Sequence, residues 1–124
     1  MKKILITNNK DVVAQEYKNC QIQYFEKTLM QMLYHARDMV HCGHVLLSHP
    51  LCGSLKPNET PYKSILLSEA KKTSIDHFSL EIMESAIKKA ENFPPKPRHI
   101  TEKNHQDFRL IDKCLIESAL NSDV

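Results

Sequence analysis

Short β-rich runs alternate with helix-patterned segments along most of this chain, and that alternation restricts it to the α/β class. Residues 3–7 (KILIT) form a compact apolar run closed by the turn formers Asn8 and Asn9. A short helix is expected over 10–18, with Val12, Val13 and Tyr17 as a narrow stripe, then a second strand over 22–25. Thr28 is placed to cap a strong amphipathic helix in which Leu29, Met32, Leu33, Ala36, Met39 and Val40 share one face. Gly43 ends that helix. Strands are expected again over 45–48 and 64–68 (SILLS).

The second half reads as more helical. Ser79 is the expected N-cap of the next helix, with Phe78 and Met83 in the positions of a hydrophobic staple and Leu80, Met83, Ile87 and Ala90 as its buried stripe. The run at 93–97 (FPPKP) cannot continue a helix, so 93–100 reads as a Pro-rich connector. A last helix over 102–120 is expected to bury Phe108, Ile111, Leu115 and Ala119.

Strand-helix-strand-helix-strand at this spacing predicts parallel pairing through right-handed crossovers. The expected architecture is a single three-layer α/β domain spanning 1–124. Its small, mainly parallel sheet has the order 2-1-3 plus a fourth strand, with helices on both faces. A switch point then falls between strands 1 and 3, and ligands in such sheets bind beyond the strand carboxyl ends at that point. Those ends are Thr7-Asn8-Asn9 and Ser48-His49, with Asn8 or Asn9 expected beside His49.

The stretch from 50 to 62 (PLCGSLKPNETPY) leaves from the same rim. It holds three of the six prolines and one of the two glycines, with hydroxyls, an amide, a lysine and a carboxylate between them. A loop stiffened in this way and loaded with hydrogen-bonding groups points to binding or positioning. Ser54, Lys56, Asn58 and Thr60 could surround a carboxylate or phosphate, with backbone N–H groups near Gly53. The plainer reading is that Asn58 and Thr60 tie the loop to its own backbone while Lys56 stays solvated. His49 and Glu59 are the proton carriers available there, although the plainer and preferred reading has His49 bonding the loop's carbonyls. The ligand-site residues are therefore Asn8, Asn9, His49, Ser54, Lys56, Asn58, Glu59 and Thr60.

Other chemistries fit less well. Neither GxxxxGK[ST] nor GxGxxG occurs, so standard nucleotide fingerprints are absent and no cofactor is expected. Cys52 lies three residues from His49, yet nucleophile and base normally come from distant segments. His41, Cys42, His44, His49 and Cys52 resemble a ligand cluster along the line. However, His44 and His49 would sit at opposite ends of a strand, at ~3.3 Å per residue, and no structural metal is expected.

Bulk properties limit the partners. Seventeen basic and fifteen acidic residues are spread through 124, leaving a net charge of +2. No basic block interleaves with aromatics, so nucleic acid is not an expected partner. No apolar run approaches the ~18 residues of a membrane span, and the start reads as an entry into a strand rather than a secretory signal. The cysteines (Cys20, Cys42, Cys52, Cys114) form no CxxC pair and read as free thiols in a cytoplasmic protein.

Three segments, KILITNN, GHVLLSHPLCGSLKPNETPYKSILLS and FSLEIMESAI, resemble the GrdX family. The likeness covers roughly residues 1–93 and is most specific in HP-x-x-GS-x-KPNETPYKS. The resemblance implies a small cytoplasmic protein encoded with glycine, sarcosine or betaine reductase in amino-acid-fermenting anaerobes. Its implied role is accessory or regulatory, with glycine reductase components as partners, and it implies no catalytic residues. The family often carries Ser where this chain has Cys52, which further weakens a nucleophile role for that thiol.

Three kinds of function remain compatible with the loop: an accessory protein with a small-anion or partner site at 49–64, a small enzyme acting on an acidic metabolite there, and a protein-docking module. A ligand or enzyme site should be concave with converging polar groups, and a docking site flatter and apolar-centred. Exposed apolar residues on two long helices leave room for a homodimer.

Overall fold

The computed structural model describes residues 2–51, 60–93 and 100–122. Among the described residues, four strands and four helices follow the chain in the order β1 (Lys3–Thr7), α1 (Lys10–Val13), β2 (Cys20–Tyr24), α2 (Leu29–His41), β3 (His44–Leu46), β4 (Ser64–Lys71), α3 (His77–Glu91) and α4 (Glu102–Ser122). The expected α/β alternation is present. The first helix is shorter than its stripe suggested, and Val13 is 40% exposed.

The sheet order is β2-β1-β4-β3. β1 and β2 pair parallel, whereas β4 pairs antiparallel with both β1 and β3. The expected order 2-1-3 and the mainly parallel character are therefore corrected: β4 stands between β1 and β3. The physical reason lies in the two strands themselves. Ser64 to Ser68 are all buried, so this run needs cover on both faces and a neighbour on both edges. β3 has only three residues, two of them half-buried, and suits an edge. The crossover rule says nothing about an antiparallel strand entering between two parallel ones. β1, β2 and β3 still run in one direction, so their carboxyl ends share a rim with the start of β4.

Strand alternation divides the core. Ile4, Ile6, Ile65 and Leu67 pack on α2 and α3 through Leu29, Met32, Leu33, Ala36, Val40, Met83, Ile87 and Ala90. Leu5 and Leu66 face the other way, against Val12 of α1 and Ile116 of α4.

The helix ends carry clear local causes. Thr28 caps α2 in a full capping box with Gln31. At its far end Gly43 takes φ +108°, and a Cβ there would stand 2.5 Å from the Lys72 carbonyl oxygen. α3 begins earlier than expected. Asp76, not Ser79, is its N-cap, and its carboxylate accepts from the Ser79 N–H and hydroxyl. Phe78 is consequently 72% exposed, while Ile75 and Leu80 take the two staple positions and pack on the first core cluster. The connector lies largely outside the described residues. In α4 the buried face is Arg109, Asp112 and Ile116, and the expected core residue Ile111 is 40% exposed. The turn of the helix that enters the protein is thus partly charged, which an apolar stripe cannot reveal.

Among the described residues, Cys20, Cys42 and Cys114 are free thiols. No helix among them is long and apolar enough to cross a membrane.

Candidate functional site

The end of β1 and the start of β4 meet as neighbours, Thr7 opposite Ser64, and the polar residues around this pair build the site. Asn8 follows directly. Its Nδ2 donates to the carbonyls of Lys27 and Pro61, each at 2.9 Å, and its Oδ1 accepts the Lys63 N–H at 2.8 Å. One amide thus ties three segments together: the β1 end, the residue before the α2 N-cap, and the downstream root of the 50–62 loop. Both donor hydrogens are used, so Asn8 has none left to offer a ligand.

Asn9 turns to the opposite face. It caps α1 by accepting the Asp11 N–H at 3.0 Å. Its Nδ2 donates to the Arg109 carbonyl at 2.9 Å and to Asp112 Oδ2 at 3.0 Å. Asp112 also accepts the Ser64 N–H at 3.0 Å and the Ser64 hydroxyl at 2.7 Å. Because a carboxylate only accepts, the Ser64 proton points at Asp112, and the Thr7 hydroxyl must donate to Ser64 Oγ across 2.7 Å. Thr7 Oγ1 in turn accepts the Asn9 N–H at 3.0 Å. Buried polar groups are matched here one by one, as burial requires.

Beside this network Arg109 lies buried. Its Nε donates to Asp11 at 3.2 Å, Nη2 to Glu102 at 3.4 Å and Nη1 to the Tyr62 hydroxyl at 3.2 Å. The bond to Tyr62, then those to Asp11 and Glu102, outweigh burial and hold the guanidinium above its ordinary range. Tyr62 also meets His105 Nδ1 at 2.8 Å, and the rings stand edge to face. Tyr62 thus accepts from the Arg109 guanidinium while sharing a hydrogen bond with the His105 imidazole.

The expected site residues separate into four groups. Asn8 and Asn9 are at the rim, but as structural ties. His49 follows β3, on the far side of β4 from them. It is exposed, and its Nδ1 accepts the Leu51 N–H at 3.1 Å. The expected approach of Asn8 or Asn9 to His49 across adjacent strands is thereby corrected. Thr60 makes a local turn, its hydroxyl accepting the Tyr62 N–H at 3.2 Å. Ser54, Lys56, Asn58 and Glu59 lie outside the described residues, as does Cys52.

Tyr62, Lys63, Ser64, Arg109 and Asp112 were not foreseen as site residues. A signal existed for the last two: charged residues at the i, i+3, i+7 spacing with Ile116 mark a buried polar face. As to metals, His44 is buried with Nδ1 on the Ser68 carbonyl at 2.7 Å. Among the described residues no three His, Cys, Asp or Glu side chains are grouped as metal ligands.

Fold and rim together define a mixed α/β protein with an antiparallel strand inserted beside β1 and a polar network at the strand ends. The chain matches the GrdX-like protein family over residues 4–121 and belongs to that family. No curated protein and no solved structure matches it.

Proposed function

We propose that the protein is an accessory or regulatory component of the glycine reductase system, working at the rim where the 49–64 loop returns to the sheet. Family membership supports the setting. One structural observation carries the site: Asn8 fastens the loop's return, Pro61 and Lys63, to the end of β1 and to the residue before α2. The root held in this way fixes the polar groups beside it, Tyr62, Arg109 and His105 among them, at a place where a small carboxylate or phosphate, or a reductase component, can be recognised. Protein purified gently from its own host and weighed by native mass spectrometry should carry a reductase subunit or a small acidic adduct. Recovery of the bare chain, together with no heat of binding for glycine, acetyl phosphate or phosphate, overturns the reading.

A second reading has its own supporting observation. The Tyr62 hydroxyl is shared between Arg109 and His105, so a phenol, an imidazole and a fixed cation stand together at the loop's root. That grouping favours a small enzyme acting on an acidic metabolite. Turnover abolished by Tyr62→Phe with binding retained would establish it over the accessory role. An apolar contact with a protein, and no small ligand, would instead make the rim a docking module.

A further inference from the structure

Lys63 is 6% exposed, yet its ammonium has no partner among the described residues. Its bonds to Asn8 are made by backbone atoms alone. The contrast with the other buried charges is complete. Arg109 is held by Asp11, Glu102 and Tyr62, Asp112 by Asn9 and Ser64, and Lys3 is engaged as well. A buried charge is normally paired, because desolvation is otherwise unrepaid.

The place of Lys63 in the fold supplies the reason. It directly precedes β4, and strand alternation carried back by one step assigns it to the face of Ile65 and Leu67, which cluster with residues of α2. The Asn8 amide joins the Lys27 carbonyl, one residue before the α2 cap, to the Lys63 N–H, so the Lys63 backbone lies one amide away from the residue that leads into that helix. This helix of 13 residues has no acidic residue in its first turn. Thr28 and Gln31 satisfy each other in the capping box, and Met32 N–H reaches the Thr28 carbonyl. The N–H groups of Leu29 and Met30 have no partner among the described residues. Lys27 adds a second positive charge, its Nζ 5.0 Å from the centre of the Phe25 ring. Lys63, Lys27 and a helix start without an acidic residue thus belong to one short stretch of the structure, tied together by Asn8, and no described carboxylate is paired with either lysine.

We propose that Lys63, the first-turn N–H groups of α2 and Lys27 form a binding site for a small oxyanion, a carboxylate or phosphate group. The site deepens the rim reading above and rests on it: the cation that grips the anion is the buried Lys63 at the loop's root. The helix dipole and a charge-assisted bond act on the same oxygens, as at other anion-binding helix starts.

The test uses inorganic phosphate and acetate as separate probes, with sodium chloride at matched ionic strength as control. Binding is followed by calorimetry and by the amide resonances of Leu29 and Met30. Wild-type protein should bind at least one oxyanion, with those two amides among the largest movers. Lys63→Met should weaken it ~10–100-fold, the equivalent of one charge-assisted hydrogen bond. Lys63→Arg should retain binding, and it serves as the folded reference if the Met variant is unstable. Phosphate without acetate identifies a phosphoryl ligand, and the reverse a carboxylate. If Lys56→Met abolishes binding while Lys63→Met does not, the rim reading stands and this inference falls. Movement by chloride equal to that by the oxyanions, or no binding by wild type, overturns the site outright. Absence of binding accompanied by destabilisation in Glu59→Gln would show that Lys63 is neutralised from within the chain.

Discussion

The two faces of one corner, where β1 ends and β4 begins, treat charge in opposite ways. On the α4 face, Asp112 and Arg109 are buried and bonded to neighbours: Ser64, Asn9, Tyr62 and Asp11. On the α2 face, Lys63 is equally buried and unmatched among the described residues, and its backbone is tied through Asn8 to the residue before a helix start that carries no acid. A satisfied network fixes geometry and offers little to a ligand, because a newcomer would have to displace bonds already made. An unsatisfied cation is the reverse. The corner thus has a face that holds the loop's root in place and a face that the root leaves charged.

Asp112→Ala should show the largest effect. It strands the Ser64 N–H, the Ser64 hydroxyl and one hydrogen of Asn9 Nδ2 in a buried place. A loss of about 3–5 kcal/mol in urea unfolding is expected, with a smaller loss for Asp112→Asn. A loss below ~1 kcal/mol would mean that water reaches these donors, and the contrast between the faces would dissolve. Arg109→Met comes next. Its side chain is 7% exposed, but Asp11 and Glu102 are 44% and 70% exposed and rehydrate once released. About 1–2 kcal/mol is therefore expected, most of it from the Tyr62 bond and lost packing.

How far the sequence reveals this corner follows from what each residue type signals. Apolar periodicity located α2 and the strands, because their faces are made of Leu, Ile, Met and Val. Asn8 and Asn9 were legible as residues at a strand end, though not as braces, since a free asparagine and a bridging one look alike in one dimension. Arg109 and Asp112 are hidden by the same rule that finds helices: a buried face containing charges breaks the stripe, and the apolar residues beside it, Ile111 among them, mimic a core face. The position of β4 was lost for a different reason. Pairing between segments far apart in the chain is decided by which run needs cover on both faces, and Ser64 to Ser68 outcompetes the three-residue β3. Lys63 carries no sequence signal, because burial alone separates it from any solvated lysine next to a strand.

Lys63→Met sharpens the comparison by reversing its sign. In buffer free of oxyanions, removing an unpaired buried charge while keeping most of the stem should raise stability by about 1 kcal/mol, where the same kind of change at Arg109 lowers it. Added phosphate should then stabilise the wild type and leave the variant where it was, by the ordinary linkage of binding to folding. Equal response of both proteins would place the charge in solvent contact and remove the distinction between the faces.

The smallest effect is a titration at His35, and it reports the α2 face without altering it. The ring packs on Phe25, with centroids 4.6 Å apart. Burial first, then the charge of Lys27, lowers its pKa below 6.5, opposed in part by Asp38. The unfolded chain therefore binds a proton more readily than the folded one, so stability is full above pH 6.5 and declines as the pH falls through the lowered folded value. An oxyanion held by Lys63 and Lys27 would cancel the part owed to Lys27 and leave the part owed to burial. The His35 pKa, followed by NMR and assigned with His35→Gln, should rise toward its ordinary value when phosphate is added, and remain fixed in Lys63→Met. The acid side of the stability curve should flatten in parallel. A His35 titration indifferent to phosphate, in protein that demonstrably binds it, would move the anion away from the start of α2.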